Sequence, residues 1–174
     1  MRLTDWYVIT GAPCSGKTTV INALNRMGFR VIHEAARAHI DGELKKGRTM
    51  AQIRGNTLAF QQHILRRKLT IEKRLSPRKT VFLDRGIPDS IGYYRLSGLS
   101  ISEPMAHSRT VRYKKIFFFD RLGFQTDRVR SEDEATAARL DRLLREAYHT
   151  LGYNMVHVPV LPVAERTKFI LKRL

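Results

Sequence analysis

Between the hydrophobic run Trp6-Tyr7-Val8-Ile9-Thr10 and a helical pattern from Thr18 to Met27 stands the octet Gly11-Ala12-Pro13-Cys14-Ser15-Gly16-Lys17-Thr18, followed by Thr19. It has the pattern G-x-x-x-x-G-K-[ST] with a strand before it and a helix after it, the setting in which that pattern carries chemistry. Gly11 and Gly16 permit backbone angles that turn amide N–H groups inward around an anion. The N-terminus of the following helix directs its dipole at the same point. Lys17 supplies a cation for terminal phosphates, and the Thr18 hydroxyl is a ligand for Mg2+. Residues 11–19 are therefore expected to cradle ATP with Mg2+. Cys14 lies inside this loop with no histidine placed to activate it, and reads as a small filler rather than a catalytic thiol.

The rest of the chain continues the alternation that the loop begins. Val31-Ile32, Val81-Phe82-Leu83, Ile116-Phe117-Phe118-Phe119 and Met155 to Val158 are short apolar runs. Helical spacings separate them over Thr49–Leu75, Asp89–Leu96, Glu132–Leu151 and Val163–Leu174. Strands apolar on both faces belong in a parallel sheet covered by helices on each side. The expectation is an α/β three-layer αβα sandwich around a five-stranded parallel sheet, with right-handed crossovers and strand order 2-3-1-4-5. No repeat or Pro/Gly/Ser-rich linker divides the 174 residues, so one domain spans 1–174. Gly98–Arg109 and Arg121–Ser131 interrupt the alternation and read as loops or short helices, where function concentrates.

Charge narrows the class of partner. Thirty-two Lys and Arg against sixteen Asp and Glu leave a formal +16, which points to nucleotides, nucleic acid or acidic membranes; the plainer alternative is solvated helix faces. No apolar run approaches the length that crosses a bilayer, so membrane insertion is not expected. Met1 to Trp6 carries no apolar leader before a cleavage site. A single cysteine excludes an intrachain disulfide and a cysteine-based zinc site. A cytoplasmic protein is expected.

Two acids close strands on the cradle's edge of the sheet. In Val81-Phe82-Leu83-Asp84-Arg85-Gly86, Asp84 can anchor Mg2+ directly or through water, and Arg85 can face a phosphate or the acceptor. The alternative is a helix-capping aspartate with a surface arginine, since a helix begins near Pro88-Asp89. In His33-Glu34-Ala35-Ala36-Arg37, Glu34 can accept the proton of an attacking hydroxyl, or can be a first-turn glutamate held by the helix dipole. Arg121 and Arg128-Val129-Arg130-Ser131-Glu132 lie on a connection, about 121–131, that can act as a lid, bringing cations to a transferring phosphoryl group while excluding water. It can equally be a basic loop leading into the acidic helix start Ser131-Glu132-Asp133-Glu134. The catalytic set read from the chain is Lys17, Glu34, Asp84, Arg85, Arg128 and Arg130, with Thr18 and Asp84 as metal ligands. The histidines have no metal-like spacing, and the absence of an Asn-Lys-x-Asp signature argues against a regulatory GTPase.

Taken in order, Gly11–Thr19, Glu34…Arg37, Asp84-Arg85-Gly86…Asp89, Arg128-x-Arg130-Ser131-Glu132-Asp133, Tyr148…Leu151-Gly152-Tyr153 and Val158-Pro159 resemble the AAA-domain ATPase/kinase family of P-loop proteins. That family includes the ribosylnicotinamide kinase domain of bacterial NAD regulators, and the likeness covers nearly the whole chain. A looser likeness to deoxynucleoside kinases rests on Asp84-Arg85, on Phe60-Gln61 and on Arg128-x-Arg130-x-Glu132. These resemblances imply a nucleoside/nucleotide-kinase-like architecture, with Glu34 near the acceptor hydroxyl, Gln61 near a base, Asp84 near Mg2+, and Arg128 and Arg130 on phosphates. The chain departs at Ala35, where deoxynucleoside kinases usually carry proline. From sequence alone Gln61 can also be a polar residue on the wet side of a long helix. The resulting expectation is a kinase that moves the ATP γ-phosphoryl group to a small metabolite such as a nucleoside or nucleotide. The alternatives are an ATP hydrolase, an ATP-dependent binding or regulatory module, and a kinase of nucleic-acid 5′ ends.

Overall fold

Every residue of the strand Trp6–Thr10 is buried, and the sheet is built outward from it. The computed structural model describes residues 1–121 and 134–174. Its strands are β1 (Arg2–Leu3), β2 (Trp6–Thr10), β3 (Arg30–Ile32), β4 (Val81–Asp84), β5 (Val111–Arg112), β6 (Lys115–Phe119) and β7 (Met155–Val158). Its helices are α1 (Lys17–Arg26), α2 (Ala35–Lys45), α3 (Met50–Arg54), α4 (Thr57–Lys73), α5 (Asp89–Leu96), α6 (Ser102–Ser108), α7 (Glu134–Thr150) and α8 (Val163–Leu171).

The main sheet has five strands in the order β3-β4-β2-β6-β7, every pairing parallel. Counted among themselves along the chain, these run 2-3-1-4-5. A second sheet, the two-residue ladder of β1 with β5, lies outside the expected count. Two-residue strands leave no periodicity to read in a sequence. The register sets Ile9 of β2 between Asp84 of β4 and Phe117 of β6. Asp84 therefore ends its strand beside the point where β2 enters the phosphate-binding loop.

Side chains alternate across the pleat and divide the core into two layers. Tyr7, Ile9, Phe82, Phe117 and Phe119 meet Val20, Ile21 and Leu24 of α1 and Ile170 of α8. On the other face Trp6, Val8, Leu83 and Ile116 meet Tyr148 of α7, and Phe118 meets Leu140 and Leu144. Each of these fully buried side chains contributes roughly 1.5–3 kcal/mol. The α5–α7 crossing is tight, because a Cβ on Gly92 would lie 2.8 Å from Leu144.

The helical stretch over Thr49–Leu75 is two helices. Thr49 caps α3 by accepting from the Gln52 N–H, and Gln52 accepts in return from the Thr49 N–H at 2.8 Å. Asn56 then opens α4 by accepting from the Ala59 N–H at 2.9 Å. A second cap so soon after the first begins a separate helix, and α4 packs against α2. The Gly98–Arg109 interruption holds the short helix α6. No described helix is long and apolar enough to cross a membrane.

Candidate active site

The loop after β2 is shaped by backbone angles few residues tolerate. Gly11 has φ 135°, and a Cβ there would lie 2.6 Å from the Phe119 carbonyl oxygen, so only glycine lets the loop rest against the end of β6. Gly16 precedes α1 in the left-handed region and leaves that helix N-terminus without a side-chain cap, the arrangement by which helices take phosphates. Cys14 shares the left-handed conformation at φ 58°. Ser15 Oγ donates to the Ala12 carbonyl at 2.9 Å. The buried Lys17 ammonium donates to that carbonyl at 2.6 Å and to Ser15 Oγ at 2.9 Å. From α8, Arg166 Nη1 donates to the Ser15 carbonyl at 2.8 Å, with its guanidinium over the Phe119 ring.

Asp84 is 2% exposed and lies across from α1. Thr18 Oγ1 donates to its Oδ2 at 3.3 Å, while Oδ1 is buried without a hydrogen-bond partner. Burial, reinforced by the Glu34 charge, raises the Asp84 carboxyl to about 6. A buried carboxylate oxygen with no donor beside a hydroxyl is an oxygen-only ligand pair that suits Mg2+. Among the described residues no cluster of three or more His, Cys, Asp or Glu could hold a metal, so the fit rests on Thr18 and Asp84. Mg2+ commonly takes one or two protein ligands and fills its sphere with water and phosphate. Asp84 does not cap a helix, since α5 begins at Asp89 behind Pro88.

Arg85, the next residue, turns the other way. Its φ of 70° rotates the chain out of the strand, and its guanidinium is buried. Nε donates to Glu34 Oε1 at 3.0 Å; Nη1 donates to the Gly11 carbonyl at 3.1 Å and to Asp89 Oδ1 at 3.1 Å. Burial works against this charge, but Tyr93, Glu34, Asp89 and Asp84 outweigh it and raise the pKa. The reading of Arg85 as a surface arginine is thereby corrected. Asp89, fully buried, also accepts from Thr10 Oγ1 at 2.5 Å, Tyr148 Oη at 2.6 Å and the Gly86 N–H at 2.9 Å. Glu34 is the residue before α2, and its carboxylate faces Arg85 rather than capping that helix.

A cavity of about 250 Å³ opens from this junction. Pro13, Glu34 and Arg85 are part of its lining; Ile40, Phe60, Ile64, Tyr93 and Leu96 give apolar walls; Gln61 and Ser90 add neutral polar groups, and Arg37, Arg54 and Lys68 add cations. The face of α4 carrying residues 60, 61, 64 and 68 follows helical spacing, which places Gln61 on the cavity rather than on the wet side. The volume lies just below the roughly 300 Å³ at which small-molecule pockets begin.

Lys17, Thr18, Glu34, Asp84 and Arg85 thus converge as expected from the sequence. Arg128 and Arg130 lie outside the described residues, as does the 121–131 segment apart from Arg121, which pairs with Glu134. Two site residues escaped sequence reading. Lys68 is buried and donates to the Gly86 carbonyl at 2.8 Å and to Ser90 Oγ at 3.3 Å; burial lowers its pKa while Asp89 opposes. Its signal was a charge at an inward register of α4, between Leu65 and Glu72. Arg166 left no signal, because its partner is a backbone carbonyl remote in sequence.

A family model described as AAA domain matches residues 6–166. No curated protein matches the chain in sequence. Among solved structures, thymidylate kinase from Ehrlichia chaffeensis is similar at 15% identity and TM-score 0.69, covering 99% of this chain and 98% of that one. Deoxyadenosine kinase from M. mycoides with the products dCMP and dCDP is similar at 14% identity and TM-score 0.63, covering 97% of each chain. NadR protein in complex with NR is similar at 15% identity and TM-score 0.73, covering 98% of this chain and 50% of that one. These likenesses are of fold: an α/β domain with a parallel sheet and helices, shared with nucleoside and nucleotide kinases.

Proposed function

The chain belongs to the AAA-domain family, and from that premise we propose that it is an ATP-dependent kinase of the cytoplasm, transferring the γ-phosphoryl group to a nucleoside or nucleotide. One observation carries the reading. The Arg85 guanidinium joins a carbonyl of the phosphate-binding loop to Glu34 on the wall of the cavity, so donor and acceptor sites share one junction. The folds of the similar deoxyadenosine and thymidylate kinases support it.

In this mechanism the loop amides and Lys17 hold the triphosphate, and Thr18 and Asp84 would hold Mg2+. The ion, when bound, neutralises charge developing on the phosphates. The acceptor lies in the cavity with its ring between Phe60 and Tyr93, Gln61 at its edge and its hydroxyl at Glu34. The Glu34 carboxylate takes the hydroxyl proton, and Arg85 fixes that carboxylate and opposes the negative charge of the transferring group. Arg128 and Arg130 are proposed to supply further cations to the phosphates.

The test is acceptor-dependent ADP formation across a panel of nucleosides, nucleotides and related metabolites. One class is expected to raise ADP release saturably above the water-only rate. Lys17→Ala is expected to abolish it in a protein that keeps its circular dichroism and thermal transition. Unchanged nucleotide affinity and turnover in that variant, or no acceptor in the panel that accelerates ADP release, would overturn the reading.

A further inference from the structure

From the cavity lining, flat and cationic side chains continue outward along the surface of α2 and α4. Along the seam between α2 and α4, the His39 and His63 rings lie 4.2 Å apart, His39 lies 6.0 Å from Phe60, and the Arg54 guanidinium stands 5.8 Å over Phe60. Phe60 and Arg54 are also cavity lining, so the row of rings leads out from inside the cavity. Beside it lie Lys46, Arg48, Arg66 and Arg67, all exposed. Among the described residues, the carboxylate that acts on both imidazoles is Glu43, bound by Lys46 at 2.8 Å and Arg48 at 2.9 Å. Partial burial is the first reason both imidazoles are held below their usual pKa; Arg67 acts on both, Arg66 on His63 and Lys46 on His39, against Glu43.

The two ring pairs are tilted, at 42° and 37°, rather than stacked on one another, and aromatic rings flanked by a run of cations are what bind single-stranded nucleic acid: bases lie on π-faces and phosphates follow the charge. We infer that the α2–α4 seam is a track for single-stranded nucleic acid, and that the nucleoside in the cavity is the 5′-terminal unit of such a strand. The chain's +16 is the complementary charge. The transfer step rests on the kinase reading: the terminal 5′-hydroxyl oxygen bonds to the γ-phosphorus of ATP, the bond from that phosphorus to the β-bridging oxygen breaks, ADP leaves with the electron pair, and the hydroxyl proton passes to Glu34. Binding along the seam does not rest on it.

The experiment uses a 3′-labelled 12-nucleotide single strand with a free 5′-hydroxyl, titrated by fluorescence anisotropy at several salt concentrations. Saturable binding is expected, with log affinity falling by about 0.7 per phosphate neutralised for each decade of salt. The double reversal Arg66→Glu with Arg67→Glu is expected to weaken it at least about tenfold and to flatten the salt slope by about 1.4. The same charge change at the exposed Arg139 and Arg142 of α7 is expected to shift affinity by less than about twofold. No saturable binding, or equal weakening by both reversals, overturns the seam. Phosphatidylserine vesicles that bind through Arg66 and Arg67 where the oligonucleotide does not would assign the seam to a membrane and overturn it as well. Seam-dependent binding without phosphorylation of the strand or of any small acceptor fails the kinase reading and leaves the track standing. Phosphorylation of free nucleosides with no strand binding fails the track alone.

Discussion

Asp84 and Arg85 are neighbours in sequence yet serve opposite sides of the site, and the cause is one backbone angle. A φ of 70° at a residue with a Cβ costs on the order of 1–3 kcal/mol. Three hydrogen bonds from the guanidinium offset it. The acid is left facing Thr18 and the cation facing Glu34, which makes their failures separable. Asp84→Asn should cripple nucleotide turnover with any acceptor, since the charge that anchors the metal is gone. Glu34→Gln should leave ATP affinity nearly intact by calorimetry and slow acceptor phosphorylation selectively by about a hundredfold. That is the lower part of the general-base range, because a loose phosphoryl-transfer transition state needs little deprotonation. Phosphoryl transfer at the wild-type rate in Glu34→Gln removes the base.

Helix α8 is joined to the phosphate-binding loop by Arg166, whose Nη1 holds the Ser15 carbonyl. Arg166→Met keeps the length and the contact with Phe119 but frees that carbonyl to turn. The KM for ATP should rise several-fold while the KM for the acceptor stays within twofold; equal changes in both would mean a general loosening instead. This contact also marks the limit of what the sequence discloses. The β2–loop–α1 unit was legible because its glycines and lysine occupy fixed offsets, and the strands because they are apolar on both faces. Asp84 and Glu34 could be placed because strand ends in a parallel sheet share an edge. The α3–α4 break was written in Thr49, Gln52 and Asn56, but the apolar periodicity on either side masks it. Arg166 and the β1–β5 ladder depend on partners far along the chain, which no local pattern encodes.

Across the whole molecule, Glu72 couples stability to pH. It is buried, accepts from Tyr113 Oη at 2.8 Å through Oε1, and has an unpartnered Oε2. Burial raises its carboxyl from 4.5 to about 7. An acid raised on folding keeps its proton in the native chain after the unfolded chain has released it, so stability falls as pH rises through that window. Below about pH 4.5 the group contributes nothing differential, and above about 7 the full destabilisation is in place. Glu72→Gln removes the titration, so its melting temperature should gain on wild type between pH 5 and pH 8. A constant gap across that range would show that Glu72 does not titrate there.

Arg85 has a last consequence, one of measurement. The bonds from its guanidinium to the first carbonyl of the loop and to Glu34 are made by one planar group, so the span between the two halves of the reaction is the width of a rigid fork. Loops and helices can breathe around it without changing that gauge. Lysine, with a single mobile nitrogen, would keep the charge and lose the ruler.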